Sequence, residues 1–162
     1  MITKKQIEIE AQKFRGLLEL KKYDDIPHVT EDFPVMNCKL ASLLFAYHIL
    51  NKWHDEIIYG VSGSAKNNNG DDTISHYWLE IGEIAVDITA DQYNEISNSL
   101  LNKSIIKTRP FQKVYVDKAG RIPTYSIFDI KKKDRLLYNF PDFHDDFIED
   151  LITSHDALMR LI

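Results

Sequence analysis

The chain has 162 residues, enough for one domain with a full core. Its 44% hydrophobic and 28% charged content, with only 6 Gly and 5 Pro, excludes disordered, fibrous and low-complexity classes. A formal charge of −5 argues against a protein whose main task is gripping nucleic acid. The single cysteine excludes an internal disulfide and any multi-cysteine zinc site.

In chain order, Thr3 followed by Gln6 fits a capping box, and Ile7, Ala11, Phe14 and Leu18 repeat on one face, predicting an N-terminal helix over about 3–22. The pattern dissolves at Lys21-Lys22-Tyr23-Asp24-Asp25, and Ile26 to Met36 reads as a loop with Pro27 and Pro34. A second helix is expected from Cys38 to Trp53 with Asn37 as its cap. It is apolar on nearly every side, as a helix in the middle of a fold is. Its run from Leu40 to Leu50 is broken by Ser42 and His48 and is too short to cross a bilayer. The N-terminus is charged and amphipathic, unlike a signal peptide, so a cytoplasmic location is expected, with Cys38 a free thiol.

The period then changes. Glu56 to Ser62 is an expected strand, and Ser64 to Asp72 a polar, mobile loop. Ser75–Ile81 and Ile84–Ile88 form an expected hairpin about Gly82-Glu83. A helix follows from Ala90 to Asn102, then a strand pair, Phe111–Val116 and Ile122–Phe128, with Pro123 placing the second at an edge or near its start. Lys131-Lys132-Lys133 reads as a solvated linker. A last helix over about 142–162 carries Phe143, Phe147, Leu151, Leu158 and Ile162 on one stripe. This order predicts a single α+β domain spanning 1–162, with the buried helix packed on an antiparallel sheet between terminal helices.

A lone cysteine is most often a small buried hydrophobe. Cys38, however, opens a buried helix, where free amides and the macrodipole favour negative charge and lower a thiol pKa. His76 begins a strand. With Gly82-Glu83 as the turn, Trp78 faces Asp87 and His76 faces Thr89. His76 and Asp87 are then diagonal neighbours on one face, roughly 7 Å apart at Cβ. A slip of one residue would send them to opposite faces. Asp87 lies in an otherwise apolar run, and a buried carboxylate demands a partner. The three residues make a nucleophile, a base and an orienting acid for acyl transfer, with the Cys38 backbone N–H as a first oxyanion donor.

The order Cys, His, Asp resembles the transglutaminase-like branch of the papain-like cysteine enzymes. The segments that carry the likeness are Phe33-Pro34-Val35-Met36-Asn37-Cys38-Lys39-Leu40-Ala41-Ser42-Leu43-Leu44, His76-Tyr77-Trp78-Leu79-Glu80-Ile81 and Ile84-Ala85-Val86-Asp87-Ile88-Thr89-Ala90-Asp91-Gln92-Tyr93. The later block is similar to a His-aromatic-x-x-Glu and Asp-x-Thr-x-x-Gln-aromatic pattern in small bacterial members. The resemblance spans about residues 33 to 93. It implies a papain-like fold, a catalytic set at Cys38, His76 and Asp87, and a structural turn containing Asp91 and Gln92. Asn37, Trp78 and Gln92 are the candidates for oxyanion or substrate positioning beside it. Members often have a glycine next to the cysteine, where this chain has Asn37 and Lys39, and no tryptophan precedes Cys38.

The expected activity is thioester-forming hydrolysis of an amide in a protein or peptide, as a peptidase or deamidase. It involves no cofactor, metal, nucleic acid or membrane. Transfer of the same acyl group to an amine, and a catalytically inactive protein-binding module of the same fold, are the alternatives. Elsewhere, His28, His48, His54, His144 and His155 are scattered. His144-Asp145-Asp146 reads as favourable charge at a helix start rather than a metal site. Asn67 to Asp72 lacks calcium-loop spacing, and as a flexible lid it would lead into His76.

Overall fold

A computed structural model describes residues 1–21, 27 and 29–162. The expected loop at 22–26, the end of the first helix at residue 22, and His28 lie outside the described residues. Helix α1 spans Lys4–Lys21. Its capping box forms as the sequence predicts: Gln6 N donates to Thr3 Oγ1 (3.2 Å) and Thr3 N to Gln6 Oε1 (2.8 Å). Ile7, Ala11, Phe14 and Leu18 are all buried.

Helix α2, Cys38–Lys52, is enclosed by the sheet, α1 and the last helix, which explains its apolar circumference. Asn37 precedes it and its carbonyl accepts from Ala41 N (2.8 Å). Its side chain does not cap. Instead Asn37 Nδ2 donates to Thr30 Oγ1 (2.9 Å) and to the Val35 carbonyl (3.0 Å), holding the turn that enters the helix.

Strands β1 (Ile58–Ala65), β2 (Ile74–Ile81), β3 (Ile84–Asp87), β4 (Tyr115–Lys118) and β5 (Asp129–Leu136) form one antiparallel sheet in the order β4-β3-β2-β1-β5. β1 starts and ends later than expected, so Ser64 and Ala65 belong to it rather than to the polar loop. The β2–β3 hairpin has the predicted register, with Ile81 opposite Ile84 and Leu79 opposite Val86. Gly82 supplies the left-handed turn residue (φ 57°). Tyr77, Leu79, Ile81 and Val86 pack toward α2, whereas Val61, Ala65, Trp78 and Phe128 form a second core on the opposite face.

The segment after β3 departs from the sequence expectation. Of the helix predicted over 90–102 only a single turn, α3 (Gln92–Glu95), and a 3₁₀ turn at Asn98–Leu100 form, and a separate helix, α4 (Lys103–Thr108), begins where the predicted one ends. Ser97, Asn98 and Ser99, residues of weak helix propensity, fall at the break, where Ser97 Oγ meets Ser99 Oγ (3.0 Å) and Asn98 Oδ1 accepts from Arg109 Nη1. Asn102 begins α4 rather than ending a helix, its Oδ1 accepting from Ile105 N (2.9 Å).

The expected strand pair about 117–120 does not form. β4 pairs with β3, with Asp87 opposite Tyr115, while Pro123 leads into a helical turn, α5 (Thr124–Ile127). Pro123 has no N–H for a ladder, which favours this local coil over a strand. Lys131-Lys132-Lys133, expected as a linker, lies within β5, where Lys133 and Lys132 pair with Val61 and Ser62 of β1 and Lys131 falls at a register shift. Lysines on an edge strand deter unwanted strand pairing.

Helix α6, Asp145–Met159, starts later than expected, with His144 Nδ1 accepting from Asp146 N (3.2 Å). Leu151 and Leu158 are buried, but Ile162 lies beyond the helix and is exposed. His48 of α2 ties the three long helices together, its Nε2 bonding to Glu10 (2.8 Å) and its Nδ1 to His155 (3.0 Å). Among the described residues, no helix is long and apolar enough to cross a membrane.

Candidate functional site

The site is built from three elements: the start of α2, the start of β2 and the end of β3. In-register pairing brings His76 Nε2 to 2.7 Å from Asp87 Oδ2, with both side chains fully buried. Oδ2 also accepts from Thr124 Oγ1 (2.7 Å), and Oδ1 from Thr89 N (3.1 Å). A carboxylate accepting three hydrogen bonds is anchored in both position and charge. Burial alone would push Asp87 upward, but the charge and hydrogen bond of His76, followed by Thr124 and Thr89, hold it below its ordinary value. Burial likewise opposes the charged form of His76, yet Asp87 and then Cys38 push the imidazole up to about 10. The charged form of His76 is therefore favoured, and with Asp87 ionised it is Nε2–H that donates to the carboxylate.

The His76 ring is packed among three aromatic rings. Trp78 lies at 5.9 Å between centroids, Phe128 at 5.1 Å and Tyr93 edge-on at 5.3 Å. Tyr93 OH donates to the Ser75 carbonyl (2.8 Å), tying α3 to the strand that carries His76. Gly63 on β1 makes room for this cluster. A Cβ there would sit 2.9 Å from both Phe128 Cβ and the Trp78 ring.

Cys38 is partly exposed at the first position of α2. Burial pushes its thiol up, but hydrogen bonding to His76 and the imidazolium charge outweigh burial, with a smaller contribution from Gln92, so the pKa falls below its ordinary value. Since Nε2 of His76 is engaged by Asp87, Nδ1 is the nitrogen left to serve the thiol. Gln92 lies within this constellation rather than only in a turn beside it. Its Nε2 donates to the Thr89 carbonyl (3.1 Å) and sits 3.3 Å from His76 Nδ1, to which it donates only while that nitrogen is unprotonated.

The other expected site residues fall into different places. Trp78 is completely buried, its ring packed beside that of His76. Asn37 is buried with both amide protons engaged by Thr30 and Val35, and these bonds orient the turn before Cys38. Lys39 is directed over the Tyr77 ring, 5.7 Å from its centroid. Asp91 is paired with Arg15.

Three contributors escape the sequence reading. Thr124 carries no signal, because it reaches Asp87 only through the unforeseen coil after Pro123. Phe128 reads as the end of a strand. Arg15 had a usable signal, since it lies four residues after Ala11 on the apolar stripe of α1, where a charge requires a buried partner. Comparison of the chain with protein-family models, curated proteins and solved structures finds no match.

Proposed function

We propose that this chain is a cysteine-dependent amide hydrolase of papain-like, transglutaminase-like type, acting on a protein or peptide through Cys38, His76 and Asp87. One observation carries the reading: a partly exposed thiol at a helix start shares a site with a buried imidazole that is itself hydrogen-bonded to a buried carboxylate. Buried charge of this kind is costly, and perturbed titration at such a cluster accords with chemistry more than with packing.

In this mechanism the Cys38 thiolate attacks the amide carbonyl carbon, forming the C–S bond while the carbonyl π electrons move to oxygen. The Cys38 backbone N–H and Gln92 Nε2 are the donors for that oxyanion. Collapse of the tetrahedral species breaks the C–N bond, and His76 gives its Nδ1 proton to the leaving amine. Water then adds to the thioester, passing a proton to His76. The acid departs and the thiolate and imidazolium are restored. Asp87 keeps the imidazole ring oriented throughout and stabilises its charge.

Reaction of Cys38 with a peptide aldehyde at neutral pH, followed by mass spectrometry, tests the reading. Labelling is expected to vanish in Cys38→Ser and to slow by about 10²-fold or more in His76→Ala. Equal labelling of wild type and His76→Ala would refute the catalytic set. Transfer to an amine shares the same thioester, so a cross-linked product formed with an added amine donor would identify an acyltransferase instead.

A further inference from the structure

Arg15 is a buried guanidinium on α1. Its Nη1 and Nη2 donate to the two oxygens of Asp91, each at 2.6 Å. Nη1 also donates to the Ile88 carbonyl (2.7 Å) and the Lys113 carbonyl (3.2 Å), and Nε to Glu19 Oε1 (3.1 Å). The ring of Phe33, five residues before Cys38, lies 4.8 Å from the guanidinium carbon. One side chain therefore touches the loop entering the nucleophile helix, the turn leaving β3 and the segment entering β4.

The turn is the informative contact. Ile88 and Asp91 bracket the short stretch between Asp87, which orients His76, and Gln92, whose side chain is directed at Cys38 and His76. A fork of two charge-assisted hydrogen bonds fixes both distance and rotation of a carboxylate, which a single point charge does not do. Asp91 immediately precedes the first residue of α3, so rotation of Asp91 would swing Gln92.

We propose that Arg15 is a positioning residue for the thiol chemistry, clamping the turn from Ile88 to Asp91 so that Gln92 stays against Cys38. The inference rests on the catalytic reading of Cys38, His76 and Asp87. It makes α1 a working part of the site rather than a packing accessory. Arg15 touches none of the reacting atoms and acts through Asp91 and Gln92.

The experiment follows alkylation of Cys38 by iodoacetamide across pH, in the full chain, where Cys38 is the only thiol. The groups that set this profile are His76 and Gln92, the Asp87 carboxylate, and Tyr77 and Tyr93, which face Cys38 from β2 and α3. In Arg15→Met the acid limb is expected to move up by about one pH unit, as expected when a hydrogen bond to the charged form is lost. Arg15→Lys should show a smaller shift in the same direction, because lysine restores charge without the fork. Asp91→Asn should also shift the limb upward.

A merely structural Arg15 would lower the melting temperature and leave the profile in place. Unchanged profiles in folded Arg15→Lys and Asp91→Asn overturn the proposal, and these two variants decide the matter if Arg15→Met does not fold. A wild-type profile unaffected by His76→Ala has a different meaning: it overturns the catalytic reading itself, and the clamp's purpose with it.

Discussion

Asp87 meets His76 through the same oxygen that accepts the Thr124 hydroxyl, with both contacts at 2.7 Å and all three side chains buried. The carboxylate thus has no freedom to turn away from the imidazole. Because the charge on His76 in turn lowers the thiol pKa, the state of a partly exposed sulfur is set by a carboxylate that does not touch solvent.

Removing the charge of Asp87 is the most direct disturbance. In Asp87→Asn, only Cys38 is left to oppose burial at His76, so the imidazole pKa should fall well below about 10. The thiol should rise toward its ordinary value, slowing alkylation at neutral pH by about tenfold or more. Breaking a buried pair also costs about 3–5 kcal/mol of stability. NMR titration of His76 and urea unfolding would measure the two effects separately.

Thr124 separates orientation from charge. Thr124→Val leaves one Asp87 lone pair unfilled, at a cost of about 1–3 kcal/mol, whereas Thr124→Ser keeps the hydroxyl and should lose much less. The Asp87 pKa should rise in the valine variant and stay near wild type in the serine variant. Carbon-detected titration of the carboxyl would show the difference.

The pair also predicts how stability varies with pH. His76 has a raised pKa, so its contribution is complete below about 6.5 and is lost as pH rises through about 10. Asp87 is depressed, so its contribution is present above 3.8 and is lost as pH falls through its folded value. Cys38 is also depressed and acts in the opposite sense to His76 in alkaline solution. The measurement is therefore best made in Cys38→Ser, where Asp87 still raises His76. Urea midpoints should be highest between these limits and decline toward pH 10, and the alkaline decline should be absent when His76→Ala is added.

Gly63 tests the aromatic packing under the imidazole. Gly63→Ala places a methyl against Phe128 and Trp78, and overpacking of this kind costs about 1–3 kcal/mol. The strand conformation tolerates alanine, so the loss should come from displaced rings. A change in Trp78 fluorescence and near-ultraviolet circular dichroism should accompany the drop in melting temperature. An unaltered spectrum with full stability would contradict the contact.

Much of this architecture was legible one-dimensionally because it depends on local periodicity. The stripe of α1 with its capping box, the all-apolar α2 and the β2–β3 hairpin depend on residues close in sequence, and the structure reproduces them. The His76–Asp87 pair belongs to the same class, since a two-residue turn and the alternation of side chains determine which face each occupies.

Tertiary structure decided what neighbouring residues cannot encode. Asn37 was expected to cap α2 with its side chain, but Thr30 and Val35 take its amide donors. The pairing of β4 with β3 depends on closure of a long loop, so no nearby pattern announces it. Thr124 reaches the Asp87 carboxylate across 37 residues of chain, and Arg15 reaches Asp91 in the turn across 76. The sequence by itself determined the residue types suited to thiol chemistry and the pairing of two of them. Folding decided the geometry of the third, and the buried hydrogen bonds that favour the charged forms of His76 and Asp87, because desolvation and long-range contact exist only once the chain is packed.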